Sequence, residues 1–374
     1  MAGESDDRGA ARAPHVALLS SPGMGHVVPV AELARRLHAE HGFTATVVTY
    51  ASSDSAAQRA FLASLPPAVG SASLPAVPLD DLVAAGAAID AYCWMVHHGE
   101  RYRDADGILV NTFDAIEPNA SAILRQPEPG HPPVYPVGPV IRQPDNGDDD
   151  ATGCIRWLDT QPDKSVLFVS FGSGGALSAA QMDELARGLE LSGQRFLWVV
   201  RSPTDSGADP GANYYDGSKS KDYPLKFLPS GFLERTKEVG LVVPSWAPQV
   251  RVLGHRATGA MLTHCGWNSV LESVMHGVPM IAWPLYAEQR QNAVMLHEEI
   301  KVALRPKVRG ADGMILGEDI TKVVNDTMNS EEGDAMRTKV TELQKATRSG
   351  LAAGGMSHKT LNEMVTKWKE RTFA

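Results

Sequence analysis

Between Trp246 and Gln289 the sequence reads WAPQVRVLGHRATGAMLTHCGWNSVLESVMHGVPMIAWPLYAEQ. Several of its side chains have types and spacings suited to one ligand. Gly259–Thr263 is an apolar run, and His264-Cys265-Gly266 forms a turn at its end. Trp267-Asn268-Ser269 then opens a helical pattern that continues through Leu271, Glu272 and Val274. The start of a helix presents free N–H groups and a partial positive charge. A diphosphate is favoured there without any metal. Gly266 allows close approach of the backbone, and His264, Asn268 and Ser269 add side-chain donors. Glu272 lies one turn further on, where a carboxylate accepts hydrogen bonds from ribose hydroxyls. Trp246 can stack on a flat base. Glu288 and Gln289 follow the next apolar run with groups suited to sugar hydroxyls. A lone Trp is usually core, and a lone His-x-Gly is usually only a turn. The weight lies in finding partners for base, ribose, phosphate and sugar within one strand–turn–helix unit.

The elements that must position these groups follow a βα rhythm. His15–Ser20 is a short apolar run of the kind found in parallel strands buried on both faces. The turn Ser21–His26 leads to a helix over Val27–His41, and Phe43–Tyr50 is a second strand. The spacing predicts helices over Ser55–Ser64, Ala84–Tyr102 and Pro118–Leu124, with strands near Ala68–Ser73 and Gly107–Asn111. Pro144–Asp150 is polar, acidic and turn-rich, and reads as a linker. The rhythm then restarts with strand Ser165–Phe171, the Gly172–Gly175 turn, and a helix over Ser178–Ser192 capped by Ser178. Strand Gln194–Arg201 precedes a polar loop over Ser202–Tyr223. Gly240–Pro244, Gly259–Thr263 and Val278–Pro284 are further strands. The expectation is an α/β fold of two Rossmann-like domains joined by a linker and facing a cleft. Its parts are a lead-in over 1–13, a first domain over 14–143, a linker over 144–151, a second domain over 152–356 and a last helical segment over 357–374.

Composition narrows the class. Hydrophobic residues make up 43% and charged residues 21%, as in an ordinary globular chain. The net charge of −9, without a long basic run, argues against a nucleic-acid partner. The three cysteines, Cys93, Cys154 and Cys265, are far apart, with no zinc spacing and no disulfide framework. Met1–Pro14 lacks an apolar segment and reads as a disordered lead-in rather than a signal peptide. No stretch of about eighteen apolar residues predicts a membrane span. A cytoplasmic, monomeric enzyme is the expectation.

The 246–289 segment resembles, almost residue for residue, the signature box of the plant family 1 UDP-glycosyltransferases. Pro133–Pro139, Gly107–Phe113 and Ser230–Thr236 are also similar to that family, within its hydroquinone (phenolic) glucosyltransferase branch. The resemblance implies the GT-B arrangement and roles for named residues. Trp246 would stack on uracil, with Ala247 and Gln249 contacting it. Glu272 would hold the ribose, and His264, Trp267, Asn268 and Ser269 the diphosphate. Glu288 and Gln289 would hold the sugar, the terminal Gln pointing to glucose. Ser173 would be a second phosphate contact, and Ala287 would lie close to the acceptor. UDP-glucose would be a co-substrate, a small phenol the acceptor, and neither metal nor cofactor would be needed. The last helix, about Ser357–Lys369, would pack back on the N-terminal domain.

Transfer to a hydroxyl needs a base. In the family this is a His after the first strand, which here is His26 in Pro22-Gly-Met-Gly-His26. The family also orients that His with an Asp from a later strand. No counterpart is evident, and the first half of the chain is much the shorter. Several βα units look absent, with the join between Leu82 and Asp90, so that sheet edges and apolar surface should be exposed. Asp54, Asp80, Asp81 and Asp90 are candidate substitutes without further support. One alternative is therefore a UDP-sugar-binding protein impaired in transfer. A dinucleotide oxidoreductase is a weaker one. Gly23-x-Gly25 is half of that fingerprint, but Val28 replaces the third glycine and no acid ends the second strand. Asp104-Ala-Asp106 matches a metal-binding D-x-D in letters only, because it precedes a strand rather than ending one.

Overall fold

The computed structural model describes residues 13–21, 23–51, 55–74, 91–142, 150, 152–203, 224–309 and 313–373. The chain divides into two compact units. One comprises residues up to Leu109, Pro127–Tyr135 and Lys359 onward; the other comprises Val110–Gln126 and Pro136–His358. The second unit thus takes in two stretches of sequence that precede the 144–151 linker. All but Asp150 of that linker lies outside the described residues.

The first unit begins with β1 (His15–Leu19), α1 (Met24–His41), β2 (Thr44–Tyr50), α2 (Ala56–Ala63) and β3 (Val69–Leu74). β1, β2 and β3 form a parallel three-stranded sheet in that order. α1 starts three residues earlier than its periodicity predicts, because Gly23 adopts φ 100° and turns the chain straight into the helix. Its apolar stripe Val27, Ala31, Ala34 and Leu37 packs with Ala45 and Val47 of β2, all buried. α2 is capped by Ser55, whose hydroxyl accepts from the Gln58 amide at 3.1 Å.

The expectation that β1 is buried on both faces is corrected. Its residues alternate between exposed and half-buried, and Leu19 is 61% exposed. Among the described residues β1 pairs only with β2, so it is an edge strand covered on one face. α3 (Ala91–Arg101) follows, and its expected start at Ala84 lies outside the described residues. β4 (Ile108–Val110) and β5 (Val134–Pro136) form a two-stranded sheet, with α4 (Pro118–Leu124) between them in sequence.

In the second unit the order is α5 (Cys154–Asp159), β6 (Val166–Ser170), α6 (Ala179–Ser192), β7 (Arg195–Val200), α7 (Phe232–Thr236), β8 (Gly240–Pro244), α8 (Gln249–Gly254), β9 (Thr258–Thr263), α9 (Trp267–His276), β10 (Met280–Ala282), α10 (Gln289–Val294), β11 (Ala303–Leu304), α11 (Gly317–Asn329) and α12 (Glu331–Leu351). The six strands are all parallel, in the order β11-β10-β9-β6-β7-β8. This is the doubly wound order, with its switch point between β6 and β9. Every residue of β6 and β9 is buried, as helices on both faces require. Phe196 stacks on Phe232 at 5.9 Å, and Trp198 meets Phe232 edge-on at 6.1 Å. Burying each such ring contributes about 1.5–3 kcal/mol.

α13 (Met356–Phe373) begins in the second unit and continues into the first from Lys359. Within the first unit Lys369 donates to the His41 carbonyl at 3.0 Å and lies over the Phe43 ring at 5.3 Å. Leu361, Met364 and Val365 of the same helix are buried.

Candidate functional site

The second unit gathers a site at the carboxyl ends of β6, β8, β9 and β10, around the switch point. After β9 the chain turns through His264, Cys265 and Gly266 into α9. Cys265 holds φ 64°, which tightens the turn. Gly266 is the N-cap, and no side chain caps the helix. The first amides of α9, those of Trp267 and Ser269 among them, belong to the opening turn, whose N–H groups lie beyond the reach of the helix's own carbonyls. Val270 closes the first turn by donating to the Gly266 carbonyl at 3.1 Å.

His264 lies between two glycines. A Cβ on Gly172 would come within 2.5 Å of its ring, and one on Gly266 would also strike it. Its Nδ1 is buried with no hydrogen-bond partner among the described residues. Burial, with the Arg201 charge nearby, lowers its pKa to about 4. The ring is therefore neutral near pH 7 and offers one N–H donor and one acceptor nitrogen. A buried polar atom without a partner beside an uncapped helix start fits an anionic ligand. The Cys265 thiol, also buried, is pushed up to about pKa 12 and is inert as a nucleophile.

α8 supplies a second layer. Gln249 donates through its one amide nitrogen to Ser269 Oγ at 3.0 Å and to Glu272 Oε2 at 2.6 Å. Glu272 is buried, and burial raises its pKa to about 7, opposed by the Gln249 hydrogen bond. A carboxylate so placed gains from two hydroxyl donors, which would restore its charge. Before α8 comes a strained turn. Ser245 holds φ 66°, the Trp246 amide donates to the Pro244 carbonyl at 2.7 Å, and the indole is 46% exposed. Ala247, the next residue, is buried.

Gln289, at the start of α10, is buried. Its Oε1 accepts from the amides of Leu285 at 2.9 Å and Tyr286 at 3.0 Å. That arrangement fixes the side chain and leaves Nε2 as the group that can donate. Glu288 and Ala287 are exposed, Ala287 at φ 51°. Ser173 is exposed in the turn after β6.

One residue expected at the diphosphate lies differently from its neighbours. The Trp267 indole donates to the Asn111 carbonyl at 2.7 Å, so its side chain is spent on the scaffold and only its backbone amide belongs to the helix start. Asn111 in turn exchanges two hydrogen bonds with Val140, at 3.1 and 2.6 Å. Sequence reasoning missed Asn111, and also Arg201 at the end of β7. Arg201 donates from Nε to the Gly172 carbonyl at 3.0 Å and from Nη2 to the Ser245 carbonyl at 2.9 Å. Its only sequence signal is a cation closing the apolar run Phe196–Val200.

His26 lies in the first unit, exposed in the first turn of α1, with its amide donating to the Gly23 carbonyl at 3.0 Å. The acids weighed as its partner, Asp54, Asp80, Asp81 and Asp90, lie outside the described residues.

A doubly wound parallel sheet with an open helix start at its switch point defines a nucleotide-binding α/β protein. Known proteins narrow this further. The family described as UDP-glucoronosyl and UDP-glucosyl transferase matches residues 147–337. UDP-glycosyltransferase 72B1 of Arabidopsis thaliana is 39% identical over 469 aligned residues, covering 96% of this chain and 97% of that protein. The hydroquinone glucosyltransferase of Rauvolfia serpentina is 38% identical, covering 96% and 98%. The structure of Phytolacca americana UGT2 complexed with UDP-2fluoro-glucose and pterostilbene matches with a TM-score of 0.82 at 36% identity, covering 96% of this chain and 100% of that one. The chain belongs to the plant family 1 UDP-glycosyltransferases, enzymes of the GT-B fold class. Its N-terminal part is short for the family, since the 469 aligned positions exceed its 374 residues.

Proposed function

We propose that this chain moves glucose from UDP-glucose to a phenolic hydroxyl with inversion and without a metal. The open start of α9, ringed by Gln249, Ser269, Glu272 and the unpartnered His264 nitrogen, carries the reading. Trp246 stacks on uracil while Ala247 and Gln249 line its edge. Glu272 accepts from the ribose hydroxyls. The amides of Trp267, Asn268 and Ser269, with the Asn268 and Ser269 side chains, His264 and Ser173, hold the diphosphate. The Gln289 amide nitrogen and Glu288 hold the sugar hydroxyls, and Ala287 lies towards the acceptor. His26 takes the acceptor proton. The oxygen attacks the anomeric carbon from the face opposite UDP, and the bond to UDP breaks as its charge settles on the α9 amides. Donors already fixed in place stabilise that charge without a metal. Asp104 of the D-x-D-like triplet is ion-paired with Arg101 at 2.8 Å, which favours a surface role for it.

The names of the relatives support the finer assignment: one is a hydroquinone glucosyltransferase, and another structure holds a UDP-sugar with pterostilbene. No helix among the described residues is long and apolar enough to cross a membrane. Cys154 and Cys265 are free thiols, which suits the reducing cytoplasm. A second reading, retained UDP-sugar binding with impaired transfer, is favoured by the exposed edge strand β1, which among the described residues belongs to a sheet of three strands. Calorimetric titration with UDP tests the donor site, and absence of heat at millimolar ligand would refute it. Product formation from UDP-glucose and hydroquinone separates the readings, because turnover at ordinary enzyme rates eliminates impairment.

A further inference from the structure

Arg201 closes β7 and spans two loops of the site. The Gly172 carbonyl that it binds belongs to the turn before Ser173, and the Ser245 carbonyl belongs to the turn before Trp246. The side chain is half-buried and burial pulls its pKa down, opposed by Tyr286. Its hydrogen-bond acceptors are neutral carbonyls, and it takes part in none of the ion pairs found among the described residues. Its field reaches His264, whose ring touches the same Gly172 turn. A partly desolvated cation without a carboxylate is costly. An anion seated at the α9 start would offset that cost.

We propose that Arg201 is a positioning residue of the donor site: it ties the Gly172 turn to the Ser245–Trp246 turn and supplies positive charge that a bound nucleoside diphosphate neutralises. This rests on the UDP-sugar reading above. The tie needs a planar fork, because two carbonyls on separate loops must be bound from fixed directions. A lysine keeps the charge but has a single nitrogen on a flexible stem. The two parts of the proposal therefore separate in two variants.

The test is calorimetric titration of the full chain, as wild type, Arg201→Lys and Arg201→Met, with UDP and with uridine. In Arg201→Met the ratio of UDP to uridine affinity falls about tenfold or more, the effect of losing a charge-assisted contribution. In Arg201→Lys both ligands weaken while their ratio stays within about threefold of wild type, since the charge remains and the tie is lost. A purely structural arginine would lower the melting temperature and leave the ratio alone in both variants; that result overturns the proposal. So does a ratio lost as fully in Arg201→Lys as in Arg201→Met. Should Arg201→Met fail to fold, Arg201→Lys decides alone: weaker uridine binding at an unchanged ratio supports the proposal, and wild-type uridine affinity overturns it. A wild-type chain that binds no UDP would instead overturn the donor-site reading itself.

Discussion

Replacing Glu272 by Gln should separate stability from donor binding. The folded carboxyl holds its proton up to about pH 7, against an ordinary value of 4.5 in the unfolded chain. Between those two values the native state binds more protons than the unfolded state, so this group's contribution to stability falls as pH rises. It is fully present below pH 4.5 and is lost once pH passes about 7. A difference of that size corresponds to about 3 kcal/mol, taken as an order of magnitude. A glutamine does not titrate. The stability of Glu272→Gln measured against wild type should therefore rise by about 3 kcal/mol from pH 4.5 to pH 8, even though the amide leaves a buried donor to be satisfied. Urea denaturation of both chains in parallel at the two pH values measures this, because all other titrating groups cancel in the difference. UDP titration at pH 8 should show the opposite cost, a loss of about tenfold or more in affinity, because an amide accepts ribose hydroxyls less strongly than a carboxylate. A stability difference that is flat with pH would refute the placement of Glu272 as a buried, weakly compensated carboxyl. Unchanged UDP affinity would refute its role as the ribose acceptor.

Trp246→Ala should weaken UDP binding by about 1–3 kcal/mol, the range for a base stacked on an aromatic ring, while the melting temperature hardly moves, since the indole is 46% exposed; calorimetry and a thermal melt check both. Gly172→Ala places a Cβ within 2.5 Å of the His264 ring on a residue at φ +74°. It should lower the melting temperature and the UDP affinity together, and a variant that binds UDP normally would count against the packed turn. His26→Ala should leave UDP affinity within twofold of wild type yet reduce product formation by about 10²–10⁴-fold; equal turnover would remove His26 from the chemistry.

Much of the second unit could be read along the chain. The α9 segment has an apolar strand, a turn with glycine and a helical stripe, all local signals, and local backbone preference carried them into the structure with bounds shifted by a residue or two. Ser178 as a cap is a contact three residues away and was equally legible. The two-residue strand β11 was not, because so short a run has no periodicity to detect. The open face of β1 was missed for a different reason. An apolar strand looks the same whether one helix layer or two will cover it; here α1, the next element in the chain, packs on one face, while Leu19 stays exposed.

What the sequence determined by itself is the order of βα units and the residue types placed at the ends of the strands. What tertiary structure alone decided is which of those side chains face one another. Gln249 meets Glu272 across twenty-three residues, Trp267 turns its indole to Asn111 across one hundred and fifty-six, and Arg201 reaches Gly172 and Ser245 across twenty-nine and forty-four. The parallel sheet brings strand ends together whatever their separation in the chain, and burial then sets the charge each group carries. Glu272 is thereby moved to about pH 7 and His264 to about pH 4, neither of which any local pattern records.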